Sequence, residues 1–356
     1  MDKIKRAILV SIPMSICNFR CHYCYLSQRE ECYQNVQPEM KYSPKHVAQA
    51  LTPERLGGLA YINLCADGET LLTKHIEDYI YELAKEGHYV EIVTNNTITS
   101  VLERILSWNK DLLAHITFKC SFHYIELKKK QLLATFASNV NNIWEAGASA
   151  NIEITPSDEL VPLIEEVKEF SVREFGALPH LSIARNDATS EIDYLTEMSM
   201  EEYNRIWSQF HSEFWEFKQT IFKQKRNEFC YAGSWMLYID LSTGFATQCY
   251  HSKYRQNIFE DIERPINFLP IGKCLEPHCY NGHMLLTLGC IPNITQVKYG
   301  DIRDRVKLDG THWLQPELKS FLNTTLYENN IEYTASQKVM NSWNIFLSKV
   351  KKHIKV

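Results

Sequence analysis

Cys17-Asn18-Phe19-Arg20-Cys21-His22-Tyr23-Cys24 follows directly on the apolar run Ala7-Ile8-Leu9-Val10-Ser11-Ile12-Pro13. Three cysteines fall within eight residues, at spacings of four and three. Thiolates crowded this closely on a loop are good ligands for an iron–sulfur cluster or for zinc. The set is one ligand short of four. A cubane cluster held by it would keep one iron without a protein ligand, open to another molecule. A zinc knuckle, or thiols that are merely buried, are the simpler readings of the same residues.

Outside this stretch the composition sets bounds. The chain has 356 residues, enough for two domains or for one barrel with an extension. Its hydrophobic content of 45% is ordinary for a globular protein, and a net charge of -5 gives no basic field for nucleic acid. The start, Met1-Asp2-Lys3-Ile4-Lys5-Arg6, does not read as a signal peptide. No apolar run reaches the roughly 18–20 residues of a spanning helix. A cytoplasmic protein with no membrane contact is expected. In that setting eleven cysteines point to metal or redox chemistry rather than to disulfides. The basic end from Lys349 to Lys355 reads as a solvated helix end.

From residue 7 to about residue 187, strand-like runs alternate with amphipathic helical patterns. Strands are expected near 7–13, 60–65, 89–95, 115–121, 149–155 and 180–185. Helices are expected near 43–56, 73–86, 99–108, 126–146 and 158–175. Gly87 and Gly147 stand where helices should stop. Such alternation indicates a parallel sheet. Six units make an α/β fold of the partial (β/α)6 TIM-like barrel type, whose active site lies at the C-terminal ends of the strands. The cysteine loop follows the first strand. Period-two alternation turns Thr117, Lys119, Ser121 and His123 into the barrel and Ile116, Phe118, Cys120 and Phe122 toward the helices. By the same rule Asn63, Cys65, Glu91, Asn95, Asn151, Glu153 and Thr155 point inward. Glu91 and Glu153 are either site residues or polar filler.

Cys-x3-Cys-x2-Cys with an aromatic before the last cysteine resembles the signature of the radical S-adenosylmethionine (radical SAM) superfamily. The resemblance implies that Cys17, Cys21 and Cys24 hold a 4Fe–4S cluster and that SAM chelates its open iron. Reductive cleavage of SAM would then give a 5′-deoxyadenosyl radical. Ala66-Asp67-Gly68-Glu69 resembles the family's Gly-Gly-Glu-Pro segment, with Asp67 and Thr70 departing from it. It implies that Gly68 allows close backbone approach and that Glu69 accepts from the SAM ammonium. Val93-Thr94-Asn95-Asn96-Thr97 resembles the Thr-Asn-Gly-Thr turn, with Asn95 at the cofactor and Asn96 in the glycine position. Ser121 and Arg185, at the ends of the fourth and sixth strands, match places that contact SAM ribose and carboxylate. Arg185 could equally pair with Asp187. Tyr23 would pack near the adenine.

The notional organisation is a barrel at 1–190, a helical bridge at 191–228, a small cluster domain at 229–299 and a helical tail at 300–356. Two bridge helices are expected, near 199–216 and 217–228. Trp343, Ile345, Phe346 and Val350 suggest one apolar face on a tail helix. Leu241-Ser242-Thr243-Gly244 between two apolar runs reads as a β-hairpin. The spacing Cys230-x13-Gly244-x4-Cys249 resembles the SPASM and twitch extensions of the family. This implies a second, auxiliary 4Fe–4S cluster on Cys230, Cys249, Cys274 and Cys279, with Cys290 spare. A zinc ribbon is the alternative.

The implied activity is hydrogen abstraction from a peptide or protein substrate, as in peptide-modifying and maturase relatives. A carbohydrate or nucleotide-derived small molecule is the alternative. The barrel begins within ten residues, so no leader-binding domain is expected ahead of it. A flavodoxin- or ferredoxin-like reductant is implied. Cys65, inward near the barrel mouth, and Cys290 are candidate hydrogen-atom donors. A non-catalytic iron–sulfur carrier is the reading from another class, although a carrier has no need of a SAM pocket.

Overall fold

The computed structural model describes residues 3–28, 33–188, 192–276, 278–279, 297–324 and 333–354. Six parallel strands follow one another across the sheet: β1 (Arg6–Ile12), β2 (Ala60–Ala66), β3 (Tyr89–Thr94), β4 (Ile116–Ser121), β5 (Ser149–Ile154) and β6 (His180–Leu181). Helices such as Ile76–Lys85, Thr99–Leu106, Leu133–Ala146 and Ile164–Phe175 cover the outer face. The apolar alternates Ile8, Ile62, Ile92, Phe118, Cys120 and Ile152 are fully buried beneath them. This is the α/β, TIM-like half-barrel that the strand–helix alternation predicts.

The pattern runs as six units, yet several expected helices are broken. The segment expected at 43–56 forms Pro44–Ala50 and Pro53–Leu56. Pro53 starts a new helix, and Thr52 caps it by accepting from the Arg55 N–H. The segment expected at 126–146 divides at Gln131, which takes φ +58°. The bridge helices are shorter than expected, Met200–Trp207 and Glu213–Ile221. On the tail helix Ala335–Ile354, Ile345 is buried while Trp343, Phe346 and Val350 are exposed, so they do not share one face.

The sixth strand differs most from expectation. β5 stops at Ile154 and is followed two residues later by Pro156, which has no N–H to donate. With no partner to extend along, only His180 and Leu181 pair with it. Arg185 therefore does not end the sixth strand. It lies in β7 (Arg185–Asn186), which forms a separate antiparallel ribbon with β8 (Asp193–Tyr194).

The hairpin appears where expected, as β9 (Met236–Asp240) and β10 (Phe245–Thr247), and β11 (Arg255–Asn257) adds to it. Gly244 closes the turn at φ +77°, where a Cβ would lie 2.6 Å from the Phe259 side chain. β9 pairs in parallel with β1, Ala7 opposite Met236 and Ser11 opposite Asp240. The sheet thus runs without interruption from β11 through β1 to β6, nine strands in all.

The short helix Tyr299–Arg303 closes the lower end of the barrel. Tyr299 packs edge-on against Tyr61 and, with Phe214, Met236 and Ala7, forms a second apolar cluster. Above this plug the inner wall of β1 to β4 is partly exposed at Leu9, Ser11, Asn63, Cys65, Val93, Lys119 and Ser121, while Asn151 and Glu153 of β5 are buried. The C-terminal half of the barrel is therefore open inside. No described helix is long and apolar enough to cross a membrane.

Candidate active site

The cysteine loop leaves the C-terminal end of β1 and lies across the open end of the barrel. Cys17, Cys21 and Cys24 are free thiols; Cys17 and Cys24 are partly exposed and Cys21 is buried. Burial pushes the Cys17 thiol up to about 11, against a hydrogen bond from the Phe19 N–H, and raises Cys21 further. The charges of Glu69 and Cys24 also oppose ionisation of Cys17, and those of Cys24 and Cys17 oppose ionisation of Cys21. A cationic metal at the loop would offset this and let the thiols ionise.

Four strand ends hold the loop. From β2, the Glu69 N–H donates to the Ile16 carbonyl at 2.8 Å and the Asp67 N–H to the Ile12 carbonyl at 3.0 Å. From β3, the Asn95 amide donates to Asn18 Oδ1 at 2.6 Å, and the Asn18 amide donates to Thr97 Oγ1 at 2.9 Å. From beyond β4, Glu126 accepts from the Arg20 N–H at 3.3 Å. From beyond β5, Ser157 Oγ and Glu159 Oε2 lie 3.1 and 2.8 Å from His22 Nε2. Asn18, Glu126 and Ser157 carry no signal in the sequence. They act through contacts that only the closed barrel creates.

Gly68 is required by the packing of the protein itself. A Cβ there would stand 2.2 Å from the Ile16 carbonyl oxygen and 2.9 Å from that of Met14. The close approach is between two loops of the protein itself. Glu69 is almost fully buried. Its Oε1 accepts from the Leu71 N–H at 3.0 Å and from Thr94 Oγ1 at 2.5 Å, and its Oε2 accepts from the Asn95 N–H at 2.7 Å. Burial raises its carboxyl, while these three donors pull it back. Three of its acceptor positions are taken.

Tyr23 Oη and His123 Nδ1 share a hydrogen bond of 2.7 Å, and burial lowers His123 to about 4, so its imidazole is neutral. Arg185 lies 4.5 Å from the Tyr25 ring centroid, with Nε 3.5 Å from Asp187 Oδ1. The Asp187 contact, one of the two readings of Arg185, is thus present. Ser121 is partly exposed on the inner wall. Cys65 is partly exposed there too, and burial pushes its thiol up to about 11, partly offset by Lys119. Cys120 is fully buried on the outer face.

Deeper in the barrel, Arg303 hydrogen-bonds Glu153 and Asn151 and lies 3.6 Å from Glu91. Lys119 Nζ is 3.1 Å from Glu153 Oε2. Glu91 also accepts from the Asn63 amide. The two inward glutamates are thus the anchors of a buried ion cluster. Their partner arrives from the other end of the chain, which the sequence does not reveal.

In the extension, Cys230 and Gly272 exchange backbone hydrogen bonds of 2.7 and 2.9 Å, which brings Cys230 beside Cys274. The Cys230 thiol donates to Cys274 sulfur, which raises Cys230 and lowers Cys274. The charge of Cys274 acts on Cys249, and that of Cys279 on Cys230. These interactions link all four expected cysteines, and Cys230 and Cys274 are in direct contact. Cys290 lies outside the described residues. Among the described residues, no three His, Cys, Asp or Glu side chains converge on a single metal-ion position. Both cysteine sets are all-thiol donors, partly exposed except for the buried Cys21.

The Radical SAM superfamily profile matches residues 11–118, from the end of β1 into β4. Among solved structures, Streptococcus suis SuiB is 14% identical with a TM-score of 0.51, covering 74% of this chain and 66% of its own. SuiB bound to S-adenosylmethionine is 16% identical with a TM-score of 0.50, covering 72% and 64%. Native anSMEcpe with bound AdoMet and Cp18Cys peptide is 11% identical with a TM-score of 0.52, covering 72% and 78%. The chain spans just under two thirds of the length of SuiB. At these identities the likeness is one of fold. No curated protein sequence matches the chain. The superfamily implies a 4Fe–4S cluster and SAM, and the thiols of Cys17, Cys21 and Cys24 are a donor set that suits them. Those thiols lie inside the stretch that matches the Radical SAM superfamily, and that stretch is folded as the first part of a parallel (β/α) barrel.

Proposed function

We propose that the chain is a radical SAM enzyme that abstracts hydrogen from a peptide or protein substrate seated in the open half of the barrel. Bound at Cys17, Cys21 and Cys24, a four-iron cluster with SAM supplies a 5′-deoxyadenosyl radical. The chain's own part is binding, orientation and exclusion of water. Glu69 holds the loops and keeps one acceptor position for the SAM ammonium. Ser121, on the inner wall of β4, and Arg185, from the β7–β8 ribbon, would contact the SAM ribose and carboxylate, and Tyr23 offers an aromatic face, hydrogen-bonded to His123, within the loop. Cys65 is the candidate hydrogen-atom donor, because its raised thiol remains S–H at neutral pH. Cys230, Cys249, Cys274 and Cys279 are the ligands of a second cluster.

The observation that carries the reading is the open inner wall directly beneath the cysteine loop, with Ser11, Cys65, Lys119 and Ser121 partly exposed. The peptide assignment is supported by the likeness of fold to anSMEcpe, whose structure holds AdoMet and a peptide. The test is anaerobic incubation of the reconstituted, reduced protein with SAM and a peptide library, followed by mass spectrometry. Formation of 5′-deoxyadenosine, a peptide mass change and loss of both in the Cys17/Cys21/Cys24→Ala variant are expected. Stimulation of 5′-deoxyadenosine formation by small molecules and not by peptides would move the substrate to the other class. No 5′-deoxyadenosine from wild type would favour a carrier.

A further inference from the structure

Lys218 stands apart from the other charges of the barrel. It lies on the bridge helix Glu213–Ile221, which packs on β6, and its ammonium sits 4.9 Å from the Phe214 ring centroid. The same ring carries Arg303 at 4.4 Å. Among the described residues, the Lys218 ammonium has no hydrogen-bond acceptor and no carboxylate within ion-pair distance, whereas the neighbouring cations are all matched. Arg303 is held by Glu91 and Glu153, Lys119 by Glu153, and Arg185 by Asp187. Glu153 is therefore shared between two cations and has little left for a third.

The groups that face Lys218 are Glu153 from β5, Lys119 from β4, Arg185 from β7 and Arg303 from the plug helix. Three of these four are cations. Burial brings the Lys218 ammonium down to about 7; Glu153 pulls it up, and the three cations push it down again. An inward cation that is left unmatched, at a wall partly open to solvent, is short of a negative charge.

We propose that Lys218, with Lys119 and Arg185 beside it, receives a carboxylate of the substrate and so fixes how the substrate lies beneath the cysteine loop. For a peptide, that group is an acidic side chain or a free C-terminus. A carboxylate bound here makes charge-assisted hydrogen bonds in a shielded site, which discriminate strongly against a neutral amide of the same shape. The inference rests on the reading that substrate enters the open half of the barrel.

The experiment is calorimetric titration of the reconstituted, SAM-loaded enzyme under anaerobic conditions. The probes are Ac-Glu-NH2, Ac-Ala-OH and the neutral Ac-Gln-NH2. The expected result is binding of one of the two carboxylates about tenfold or more tighter than Ac-Gln-NH2, roughly the value of one charge-assisted contact. Which carboxylate is preferred tells a side chain from a chain end. Lys218→Met should abolish that preference and Lys218→Arg should restore most of it. In the wild type, affinity should fall several-fold between pH 7 and about pH 8.5, as the free ammonium loses its proton.

Equal binding of the three probes, or a preference that survives Lys218→Met, would overturn the proposal. So would a loss of SAM affinity in Lys218→Met as large as the loss for the carboxylate probe, which would assign the cation to SAM. The wild-type pH profile needs no variant and remains decisive if Lys218→Met fails to fold; a flat profile overturns the idea. Absence of 5′-deoxyadenosine from the wild type would count against the functional reading alone.

Discussion

Arg303 is buried among Glu91, Glu153 and Asn151, with the Phe214 and Tyr299 rings beside it. Burial alone would raise the Glu153 carboxyl; Arg303, Lys119 and Lys218 outweigh it and hold Glu153 far below the usual carboxylate range. Removing one partner from such a cluster leaves a buried charge uncompensated and costs about 3–5 kcal/mol. Arg303→Met should therefore destabilise the barrel by roughly that amount in urea denaturation. The sign of the pH effect follows from the lowered value. The stabilisation is full above the unfolded carboxyl value of about 4.3 and is lost as pH falls from there toward the folded one. Urea midpoints of wild type should drop on going from pH 5 to pH 3, and those of Glu153→Gln should drop less. Parallel slopes would show that Glu153 does not carry the effect. At the same scale, Cys65 makes a separate prediction. If its thiol returns a hydrogen atom to a substrate radical, product formed in deuterated water should carry deuterium at the reacting carbon. Cys65→Ala should then stop the delivery. Product without solvent deuterium, formed as well by Cys65→Ala, would remove the thiol from the reaction.

The loop carrying Cys17, Cys21 and Cys24 is placed by its neighbours more than by its own sequence. Gly68 permits the β2 loop to touch it, and Gly68→Ala would drive a methyl into the Ile16 carbonyl, 2.2 Å away. Contact of that kind is relieved only by moving one loop away from the other. Gly68→Ala is expected to lower the iron bound at the first site on reconstitution by several-fold while far-ultraviolet circular dichroism stays native. Iron content equal to wild type would show that the loops separate without cost. The expected inward face of β4 is the face observed. Thr117, Lys119 and Ser121 turn in, and Phe118 and Cys120 turn out, because the period of two belongs to the strand alone. The sixth strand was not legible to its full length, since its extent depends on Pro156 of its neighbour. Arg303 was not legible at all. A single arginine on a five-residue helix has no local mark of burial, and its partners lie about 150 and 210 residues earlier.

Across the whole molecule, the pairing of β9 with β1 joins the extension to the strand that leads into the cysteine loop. The hairpin itself was readable from its turn residues. Its parallel pairing with a strand more than 220 residues earlier was not, because either edge of the sheet would satisfy the same apolar pattern. The pairing makes the two cysteine groups mechanically dependent. Cys230 is tied to Gly272, and Ala232 bridges to Met236 at the start of β9, so whatever holds Cys230 also bears on the edge of β1. A cluster bound by Cys230, Cys249, Cys274 and Cys279 would close long loops and hold this edge strand. Reconstituted enzyme should contain about eight irons and eight sulfides per chain, from two four-iron clusters. The Cys230/Cys274→Ala variant should fall to about four of each. Amide exchange should then quicken in β9 and β10, and to a smaller degree in β1, while β4 and β5 keep their protection. About four irons with one zinc in the wild type would make the extension a zinc ribbon. Unchanged exchange in β9 after loss of the metal would show that the sheet holds the extension in place without help from its cysteines.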